Sequence, residues 1–516
     1  MNEFKVCRAV ISVWDKTGIL PLSRLLESRG VEIFSTGGTF TKIKEAGINV
    51  RKIEELTQFP EILGGRVKTL HPAIFAGILA DVRNPLHVVD LESTSVQPFQ
   101  MVVVNLYPFS ETYHSADKNP DQIIEMIDVG GPSMIRAASK NYHNVIILSS
   151  PNQYDEFHKR LEKNEITTEY RRSLAAEVFT NTARYDSEIA EFFHGKTPSP
   201  ASPRLTMDFT QLHSLRYGEN PDQAAAIYAP TGDPNWEAFH QIQGKEISYN
   251  NYIDCMAVYR IISDFEVTTP SCVIVKHTNP CGFGIGHTLV EAYGRAVQTD
   301  PVSYYGGIVG VNQPVDESLA EEMAKTFLEC IVAPSYSEKA LEILSKKKNL
   351  RLLVPVQADL KCEWEFRNFG RGLITQAVQV ADENEAAWRV VTATKPPVQL
   401  TTSIHIGWKL VRHVKSNAIV LCNESGTIGI GAGQMSRVES LKISIDKAEE
   451  AGLSVNGSTL ASDAFFPFRD SADMASQHGI AGIIQPGGSI HDQEVIDACN
   501  EHGMFMIFTG KRVFKH

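Results

Sequence analysis

Apolar runs alternate with amphipathic segments through the first 150 residues of the chain. Short apolar runs indicate buried strands, and apolar residues at helical spacing between them predict helices. The predicted strands are 9–13, 31–34, 101–106 and 144–148, and the first two predicted helices are 19–28 and 40–45. Consecutive strand–loop–helix units indicate an α/β domain on a parallel sheet with right-handed crossovers. Ligands of such sheets gather at the carboxyl ends of the strands.

The alternation of apolar runs and amphipathic segments stops after a helical stretch over 169–194 and then resumes. The segment 196–203 has three prolines in eight residues, which predicts a domain boundary. We therefore expect one domain over 1–196, a linker over 197–203 and a second region over 204–516. Strand-like runs in that region are 272–275, 308–311, 417–421 and 480–484, with helical patterns such as 316–328 and 438–450 between them. This second α/β region is long enough for two similar subdomains.

Composition narrows the class of protein. The chain has 516 residues, 43% of them hydrophobic and 21% charged, which is ordinary for a globular protein of two to four domains. Its net charge of -12 argues against a general nucleic-acid binder, so any phosphate site must be local. The N-terminus shows no targeting signal, and no apolar stretch approaches membrane-spanning length. These features predict a cytoplasmic protein with no nucleic-acid or membrane partner.

The cysteines predict reduced thiols rather than a disulfide framework, because no C-x-x-C pair occurs. They lie at positions 7, 255, 272, 281, 330, 362, 422 and 499. Pro280-Cys281 matches half of a zinc deaminase signature, but position 284 is glycine and no H-x-E motif surrounds His277. The pattern therefore disfavours a zinc deaminase and favours Cys281 as a packed thiol.

The adjacent pair Lys276-His277 follows the apolar run 272–275 at a predicted strand end. Both side chains are costly to bury, and together they can stabilise developing negative charge and transfer protons. A satisfied core histidine beside a lysine that reaches to solvent is an equally good interpretation of the pair alone.

Three loops of the first domain have the composition of phosphate sites. Residues 35–39, Ser-Thr-Gly-Gly-Thr, can offer backbone N–H groups at a helix N-terminus, although a plain turn explains them equally well. Residues 64–72 add two cations and a histidine. In 127–140, Arg136 and Lys140 share one helix face, which is either a solvated face or part of a ligand site.

The second region has its own candidates. In 215–221, Arg216 can clamp a phosphate and Tyr217 can stack on a base, unless the segment is only a surface turn. Residues 415–417 and the glycine-rich 428–437 indicate a polar and flexible lining with another cation, and their spacing does not match a Rossmann fingerprint. The three aromatic residues of 462–470 suit either an apolar core or a flat conjugated ligand.

Together these segments resemble the bifunctional purine biosynthesis family that combines AICAR formyltransferase with IMP cyclohydrolase. The likeness runs through 12–18, 35–39, 64–72, 105–109, 128–140, 216–223, 276–282, 429–437 and 462–470. It implies a methylglyoxal-synthase-like N-terminal domain for ring closure and two cytidine-deaminase-like subdomains, without zinc, for formyl transfer. It also implies 10-formyltetrahydrofolate as co-substrate, AICAR and FAICAR as substrates, no required metal, and a homodimer with transferase sites across the interface.

For the transferase, the resemblance implies proton transfer by His277, charge stabilisation by Lys276 and a hold on the formyl group by Asn417. The residues that it implies for binding the ribonucleotide are Arg216, Tyr217, Gly306, Glu329, Arg437 and Arg512. Those that it implies for the folate side are Phe465, Asp470, Ser489 and Ile490.

For the cyclohydrolase, the resemblance implies that four residues orient the carboxamide and move protons: Lys68, Tyr107, Asp128 and Lys140. The residues that it implies for holding the nucleotide are Trp14, Asp15, Lys16, Thr36, Gly37, Gly38, Thr39, Arg66, Val67, Thr69 and Asn105.

The chain departs from the family pattern at a few positions that bear on pocket shape and folate affinity. Trp14 stands where a small or tyrosine-like residue is usual, Asp222 replaces a histidine, Tyr304-Tyr305 replace Ala-Phe, and His491 replaces an arginine.

Two other classes of function are the alternatives to the bienzyme. A nucleotide-binding regulatory module needs no Lys276-His277 pair, and a zinc deaminase needs bound metal.

Overall fold

The structure is a computed structural model that describes residues 4–115, 117, 119–194, 205–231, 236–356, 360, 363–379 and 385–516. It divides into two compact units, Met1–Met207 and Asp208–His516, called here the N-terminal and C-terminal units. The linker expected over 197–203 lies outside the described residues.

The N-terminal unit is built on a five-stranded parallel sheet in the order β3-β2-β1-β4-β5. Its strands are β1 (Arg8–Val13), β2 (Glu32–Ser35), β3 (Arg51–Lys52), β4 (Met101–Asn105) and β5 (Ile146–Leu148). Its helices are α1 (Ile19–Ser28), α2 (Gly37–Glu45), α3 (Ile53–Thr57), α4 (Pro72–Leu79), α5 (Pro85–Ser93), α6 (Phe109–Tyr113), α7 (Pro120–Ile124), α8 (Gly130–Lys140), α9 (Tyr154–Glu162) and α10 (Thr168–His194). The predicted parallel sheet is confirmed.

The helix predicted over 40–45 begins earlier, at Gly37. Two consecutive glycines form its first turn, and glycine is a poor helix former, so residue propensity assigned this turn to a loop. The extra turn brings the N-terminus of α2 to the carboxyl end of β1. The apolar side chains of β1 and β4 are buried on both faces, as expected for central strands of a parallel sheet.

The C-terminal unit is built on a twelve-stranded mixed sheet in the order β16-β21-β20-β19-β17-β18-β10-β9-β11-β12-β13-β8. Its strands are β6 (Phe209–Leu215), β7 (Ala225–Pro230), β8 (Phe239–Gln243), β9 (Ser271–Lys276), β10 (Asn279–Ile285), β11 (Ile308–Val311), β12 (Cys330–Val332), β13 (Arg351–Pro355), β14 (Trp364–Phe369), β15 (Gly372–Ala377), β16 (Arg389–Val390), β17 (Ile419–Asn423), β18 (Gly426–Gly431), β19 (Thr459–Ser462), β20 (Gly482–Gln485) and β21 (Phe505–Phe508). Its helices are α11 (Tyr249–Ile262), α12 (Leu289–Thr299), α13 (Glu317–Ala324), α14 (Glu338–Ser345), α15 (Thr401–Val411), α16 (Arg437–Glu450), α17 (Asp470–Gln477) and α18 (Asp492–Glu501).

The large sheet consists of two halves with the same succession of elements. Each half has a helix, an antiparallel strand pair, and then three parallel strands alternating with helices: α11 to β13 in the first and α15 to β21 in the second. The two similar subdomains expected from the sequence are therefore present.

The halves join where β10 pairs antiparallel with β18, at Gly284 and Gly426. Gly426 has a φ of 150°, and a Cβ there would lie 2.2 Å from the carbonyl oxygen of Phe283. Only glycine allows the two backbones to approach this closely.

Two antiparallel hairpins, β6–β7 and β14–β15, form separate two-stranded sheets. Both expose aromatic side chains, and Phe369 at the tip of β14 is 72% exposed. Among the described residues, no helix combines the length and the apolar character needed to cross a membrane.

Candidate active sites

A cavity of about 700 Å³ opens at the carboxyl ends of β1, β2 and β4 in the N-terminal unit. This is the edge at which parallel sheets bind ligands. Eleven residues selected from the sequence line it: Trp14, Lys16, Thr36, Gly38, Thr39, Arg66, Lys68, Thr69, Asn105, Tyr107 and Asp128. The structure thus brings together loops that are separated by more than 100 residues along the chain.

The loop after β1 is held by two buried polar side chains. The Asn105 side-chain oxygen accepts hydrogen bonds from the backbone N–H groups of Trp14 (2.6 Å) and Asp15 (3.0 Å), and its amide donates to the Asp15 carbonyl (2.8 Å). The Thr39 hydroxyl accepts from the Val13 N–H group and donates to the Val13 carbonyl. These bonds fix the loop so that the Trp14 ring lies 5.1 Å from the Tyr107 ring, centroid to centroid. Direct contacts of Asn105 with a nucleotide stay a prediction.

The N-terminus of α2 has the properties of an anion site. Thr36 occupies the N-cap position, but no capping side-chain hydrogen bond to the first turn occurs within the described part of the chain. Unpaired N–H groups and the positive end of the helix dipole both favour a phosphate. Lys16 lies alongside Gly38, and the Lys68 ammonium lies beside Gly37. Two cations therefore flank the N-terminus of α2.

Asp128 is the acid–base candidate of this cavity. Its carboxylate accepts a hydrogen bond from the Gly131 N–H group at 2.8 Å. Burial raises its pKa above the usual range for aspartate, although this hydrogen bond and the nearby Lys68 charge oppose that shift. A carboxyl group with a raised pKa keeps its proton to a higher pH than an ordinary aspartate, which suits it to general acid–base chemistry.

Tyr185 of α10 is a positioning residue that the sequence did not reveal. Its hydroxyl accepts from the Asp128 N–H group at 2.7 Å and donates to the Met126 carbonyl at 3.1 Å. It lies 57 residues beyond Asp128 in a regular helix, so no local motif marked it.

Four residues selected for this site are not among those that line the larger cavity. Asp15 lines a neighbouring cavity of about 560 Å³, and its carboxylate is exposed and hydrogen-bonded to Thr17, which lowers its pKa. Lys140 is exposed at the C-terminal end of α8, about 15 Å along the helix from Gly130. Gly37 and Val67 belong to the same two loops but are not among the cavity-lining residues. The functional roles of these four residues remain predictions.

The candidates of the C-terminal unit share one edge of the twelve-stranded sheet. Strand β9 is antiparallel to β11, so its carboxyl end lies beside the amino ends of β11 and β12. Through the β10–β18 pair, the same edge continues to the amino end of β17 and the carboxyl ends of β19, β20 and β21. The strand ends or following loops at this edge carry Lys276, His277, Gly306, Glu329, Asn417, Phe465, Ser489, Ile490 and Arg512.

The Lys276-His277 pair sits in a tight turn between β9 and β10. The Lys276 ammonium donates to the Tyr305 carbonyl at 3.0 Å, directly before Gly306. His277 is exposed, so it is not a core histidine. The Thr278 N–H group donates to the carboxylate of Asp254 on α11 at 2.6 Å, and burial raises the pKa of that carboxyl group. Asp254 is a second residue that sequence reasoning missed.

Asn417 lies against this turn and is held on both sides of its amide. Its nitrogen donates to the Gln434 carbonyl at 2.9 Å, and its oxygen accepts from the Arg437 guanidinium at 2.8 Å. The Lys415 N–H group donates to the Asn279 side-chain oxygen at 2.9 Å, which ties the two segments together. The structure therefore brings Lys276-His277 and Asn417 into one site.

The guanidinium of Arg437 is occupied by protein groups. It forms an ion pair with Asp463 and donates to the Ser462 hydroxyl at 3.0 Å, besides its bond to Asn417. This arrangement orients Asn417. Contact of Arg437 with a nucleotide stays a prediction.

The remaining candidates lie around this edge with partners of their own. Glu329 accepts from Arg351 at 3.0 Å, and the Gly306 N–H group donates to the Phe327 carbonyl. Ile490 is almost fully exposed, and the neighbouring Ser489 hydroxyl accepts from the His491 N–H group. Two further candidates have contacts close in sequence, Asp470 with Ser471 and Arg512 with the Phe514 ring. Phe465 is partly exposed.

Arg216 and Tyr217 follow β6 in the exposed β6–β7 hairpin. The Arg216 guanidinium lies 5.3 Å from the centre of the Tyr217 ring. Within the part of the chain that the structure describes, neither side chain forms a hydrogen bond with the Lys276 turn. Their nucleotide contacts stay a prediction.

Cys281 is packed beside this site. Its sulfur donates to the Ile274 carbonyl at 3.5 Å, and burial raises its pKa to about 12. Among the described residues, no three His, Cys, Asp or Glu side chains are grouped so that they could hold a metal ion. Cys281 therefore has the surroundings of a packed thiol.

Comparison with known proteins identifies the family of the chain. The family model "AICARFT/IMPCHase bienzyme" matches residues 138–447, and the model "MGS-like domain" matches residues 18–133. The bifunctional purine biosynthesis protein PurH of Enterococcus faecalis is 47% identical over 99% of this chain and 99% of its own. The chain belongs to the AICARFT/IMPCHase bienzyme family. The PurH proteins of Gloeothece citriformis (45% identity, 98% of this chain and 99% of the relative) and Listeria monocytogenes (46% identity, 99% and 100%) are similarly close.

Membership of the bienzyme family confirms the resemblance identified from the sequence motifs. The MGS-like match falls within the N-terminal unit, where the parallel sheet and the larger cavity lie. The bienzyme match extends from α8 through the first half of the C-terminal unit to α16.

Proposed function

We propose that the chain catalyses two successive reactions at two separate sites. In the C-terminal unit, a formyl group passes from 10-formyltetrahydrofolate to the 5-amino group of AICAR, which gives FAICAR. In the N-terminal unit, FAICAR loses water and closes to IMP. One observation supports this proposal most strongly: in this chain of the bienzyme family, each unit has a cluster of polar side chains at one edge of its sheet. We assign ring closure to residues 1–196 and formyl transfer to residues 204–516.

Formyl transfer requires activation of a poor nucleophile. The 5-amino group is conjugated with the carboxamide, so removal of its proton and stabilisation of the tetrahedral oxyanion both lower the barrier. His277 takes the proton from the amino group, and the Lys276 ammonium stabilises the oxyanion on the former formyl oxygen. Asn417, oriented by Arg437, holds the formyl group. When the oxyanion collapses, the C–N bond to the folate breaks and tetrahydrofolate leaves with a proton.

Ring closure is intramolecular. The carboxamide nitrogen of FAICAR attacks the formyl carbon of the same molecule, so the enzyme gains rate chiefly by holding the near-attack conformer. The α2 N-terminus, with Lys16, binds the nucleotide phosphate. Lys68 and Tyr107 stabilise the oxyanion, while Asp128 exchanges the protons of addition and dehydration.

We further propose that the chain acts in the cytoplasm as a homodimer in which the partner completes the transferase site. The Arg216-Tyr217 segment lies on an exposed hairpin, where it is available to a second copy. Sedimentation of the purified chain tests the dimer. Mixing an Arg216→Ala chain with a His277→Ala chain tests the shared site, because only a mixed dimer would restore formyl transfer.

The function itself is tested by incubating the purified chain with AICAR and 10-formyltetrahydrofolate. We expect tetrahydrofolate and IMP to form, and His277→Ala to stop both while ring closure of supplied FAICAR continues. The matched control is His287→Ala, which removes another exposed histidine of the same unit and leaves both rates unchanged. If the parent chain forms neither FAICAR nor IMP, the proposal fails and a binding module is favoured.

A further inference from the structure

The turn that carries His277 has an unfavourable backbone. His277 and Thr278 have φ values of 53° and 64°, so two successive residues other than glycine lie in the left-handed region. Such residues persist only where the surrounding structure holds them, and they cluster at functional sites. The direction of the His277 side chain therefore depends on the groups that hold this turn.

Asp254 holds the turn from α11. Its carboxylate accepts a hydrogen bond from the Thr278 N–H group at 2.6 Å and lies close to the His277 N–H group. Successive N–H groups of a left-handed turn form a concavity that binds anions, and the carboxylate occupies it. The same carboxylate lies within electrostatic range of the His277 ring and the Lys415 ammonium.

Lys515, which follows β21, also holds the turn. Its ammonium donates to the carbonyls of His413 (2.8 Å) and Thr278 (3.4 Å). Its backbone N–H group donates to the Ser416 hydroxyl (3.2 Å), and its carbonyl accepts from the Ser416 N–H group (2.9 Å). Ser416 directly precedes Asn417. One residue thus connects the segment of His277 with the segment of Asn417.

We propose that Asp254 and Lys515 are positioning residues for formyl transfer, which clamp the His277–Thr278 turn between a carboxylate and an ammonium group. This proposal rests on the formyl transfer function proposed above. Asp254 fixes the direction in which His277 projects, and Lys515 fixes the distance between His277 and Asn417. Both groups act on the protein backbone and neither contacts substrate.

The test compares steady-state formyl transfer by the full-length parent with that of Asp254→Ala and Asp254→Asn. Because misplacement by about 1 Å costs about 100-fold in rate, Asp254→Ala should lower kcat by about that factor. KM for AICAR should stay within about twofold, because uniform substrate binding is untouched. Asp254→Asn keeps an oxygen that accepts from the Thr278 N–H group, so it should recover at least about tenfold of this loss.

Three controls make the result specific. Ring closure of supplied FAICAR should be unchanged in every variant, because that site lies in the N-terminal unit. Asp446→Asn neutralises an exposed carboxylate on α16 of the same unit and should leave formyl transfer unchanged. Lys515→Met keeps the apolar stem without the ammonium, and we expect kcat to fall about tenfold or more at constant KM.

The outcomes separate the two proposals. A parent that makes no FAICAR overturns both. If the parent is active and either Asp254→Ala or Lys515→Met has the same formyl transfer rate as the parent, only the positioning proposal is overturned. Equal losses in Asp254→Asn and Asp254→Ala also overturn it, since the charge rather than the hydrogen bond would then matter. If Asp254→Ala fails to fold, Lys515→Met carries the same decision.

Discussion

The buried ion pair between Arg437 and Asp463 leads to a specific prediction about the stability of the C-terminal unit. The two side chains are 7% and 0% exposed, and the Ser416 hydroxyl also donates to the Asp463 carboxylate. Replacing Arg437 by methionine keeps much of the apolar volume but leaves a buried carboxylate without its counter-charge. Loss of one partner of a buried pair costs about 3–5 kcal/mol. We therefore expect Arg437→Met to lower the free energy of unfolding of the C-terminal unit by that amount.

The tryptophan distribution provides the assay. Trp14 lies in the N-terminal unit, and the other four tryptophans, at 236, 364, 388 and 408, lie in the C-terminal unit. In a Trp14→Phe background, urea unfolding followed by tryptophan fluorescence therefore reports only the C-terminal unit. The matched control is the partly exposed pair Arg367–Glu365 on the β14–β15 hairpin, for which Arg367→Met should cost less than about 1 kcal/mol.

The double variant Arg437→Met/Asp463→Leu distinguishes stability from positioning. Removing both charges of a buried pair is often neutral, so we expect most of the lost stability to return. Formyl transfer should stay low in the double variant, because Asn417 still lacks its guanidinium donor. If the free energy of unfolding of Arg437→Met lies within about 1 kcal/mol of that of its parent, the reasoning is refuted, because an unpaired buried charge should cost more than this.

Two further predictions concern pH. Burial raises the pKa of Asp128, so its carboxyl group stabilises the N-terminal unit at acid pH and loses that contribution as the pH rises through the raised pKa. Asp128→Asn should therefore stop ring closure yet stabilise the N-terminal unit, read from amide hydrogen exchange of its strands, more at pH 7 than at pH 4; an equal change at both pH values contradicts this. Burial lowers the pKa of Lys515 to about 8, so the folded chain loses that proton before the unfolded chain does. Stability of the C-terminal unit should gain up to about 3 kcal/mol from this group between pH 8 and 10.5, and Lys515→Met should lack that gain.

The sequence predicted the elements whose signals are local. The alternation of apolar runs located β1, β4, β9 and β11 to within a residue or two, because buried strands need uninterrupted apolar side chains. The Lys276-His277 pair could also be recognised from the sequence, because two polar residues directly follow such an apolar run. The start of α2 was missed because its first turn is glycine, and packing rather than propensity forms it.

Positioning residues could not be predicted in this way. Asp254 and Tyr185 lie in regular helices. Their positions in the sequence do not distinguish them from polar residues that face solvent. Only the tertiary fold brings Asp254 to Thr278 and Tyr185 to Asp128. Similarly, the sequence suggests that Asn105 is a ligand contact, and the structure shows that its hydrogen bonds hold the loop after β1.

Mixing two single variants tests the central claim, that one chain contains two independent active sites, most directly. His277→Ala alone should make no FAICAR, and Asp128→Asn alone should accumulate FAICAR without IMP. Because FAICAR is a diffusible product of the first site and substrate of the second, an equimolar mixture should convert AICAR and 10-formyltetrahydrofolate to IMP. A mixture of the two folded variants that forms no IMP would contradict the account.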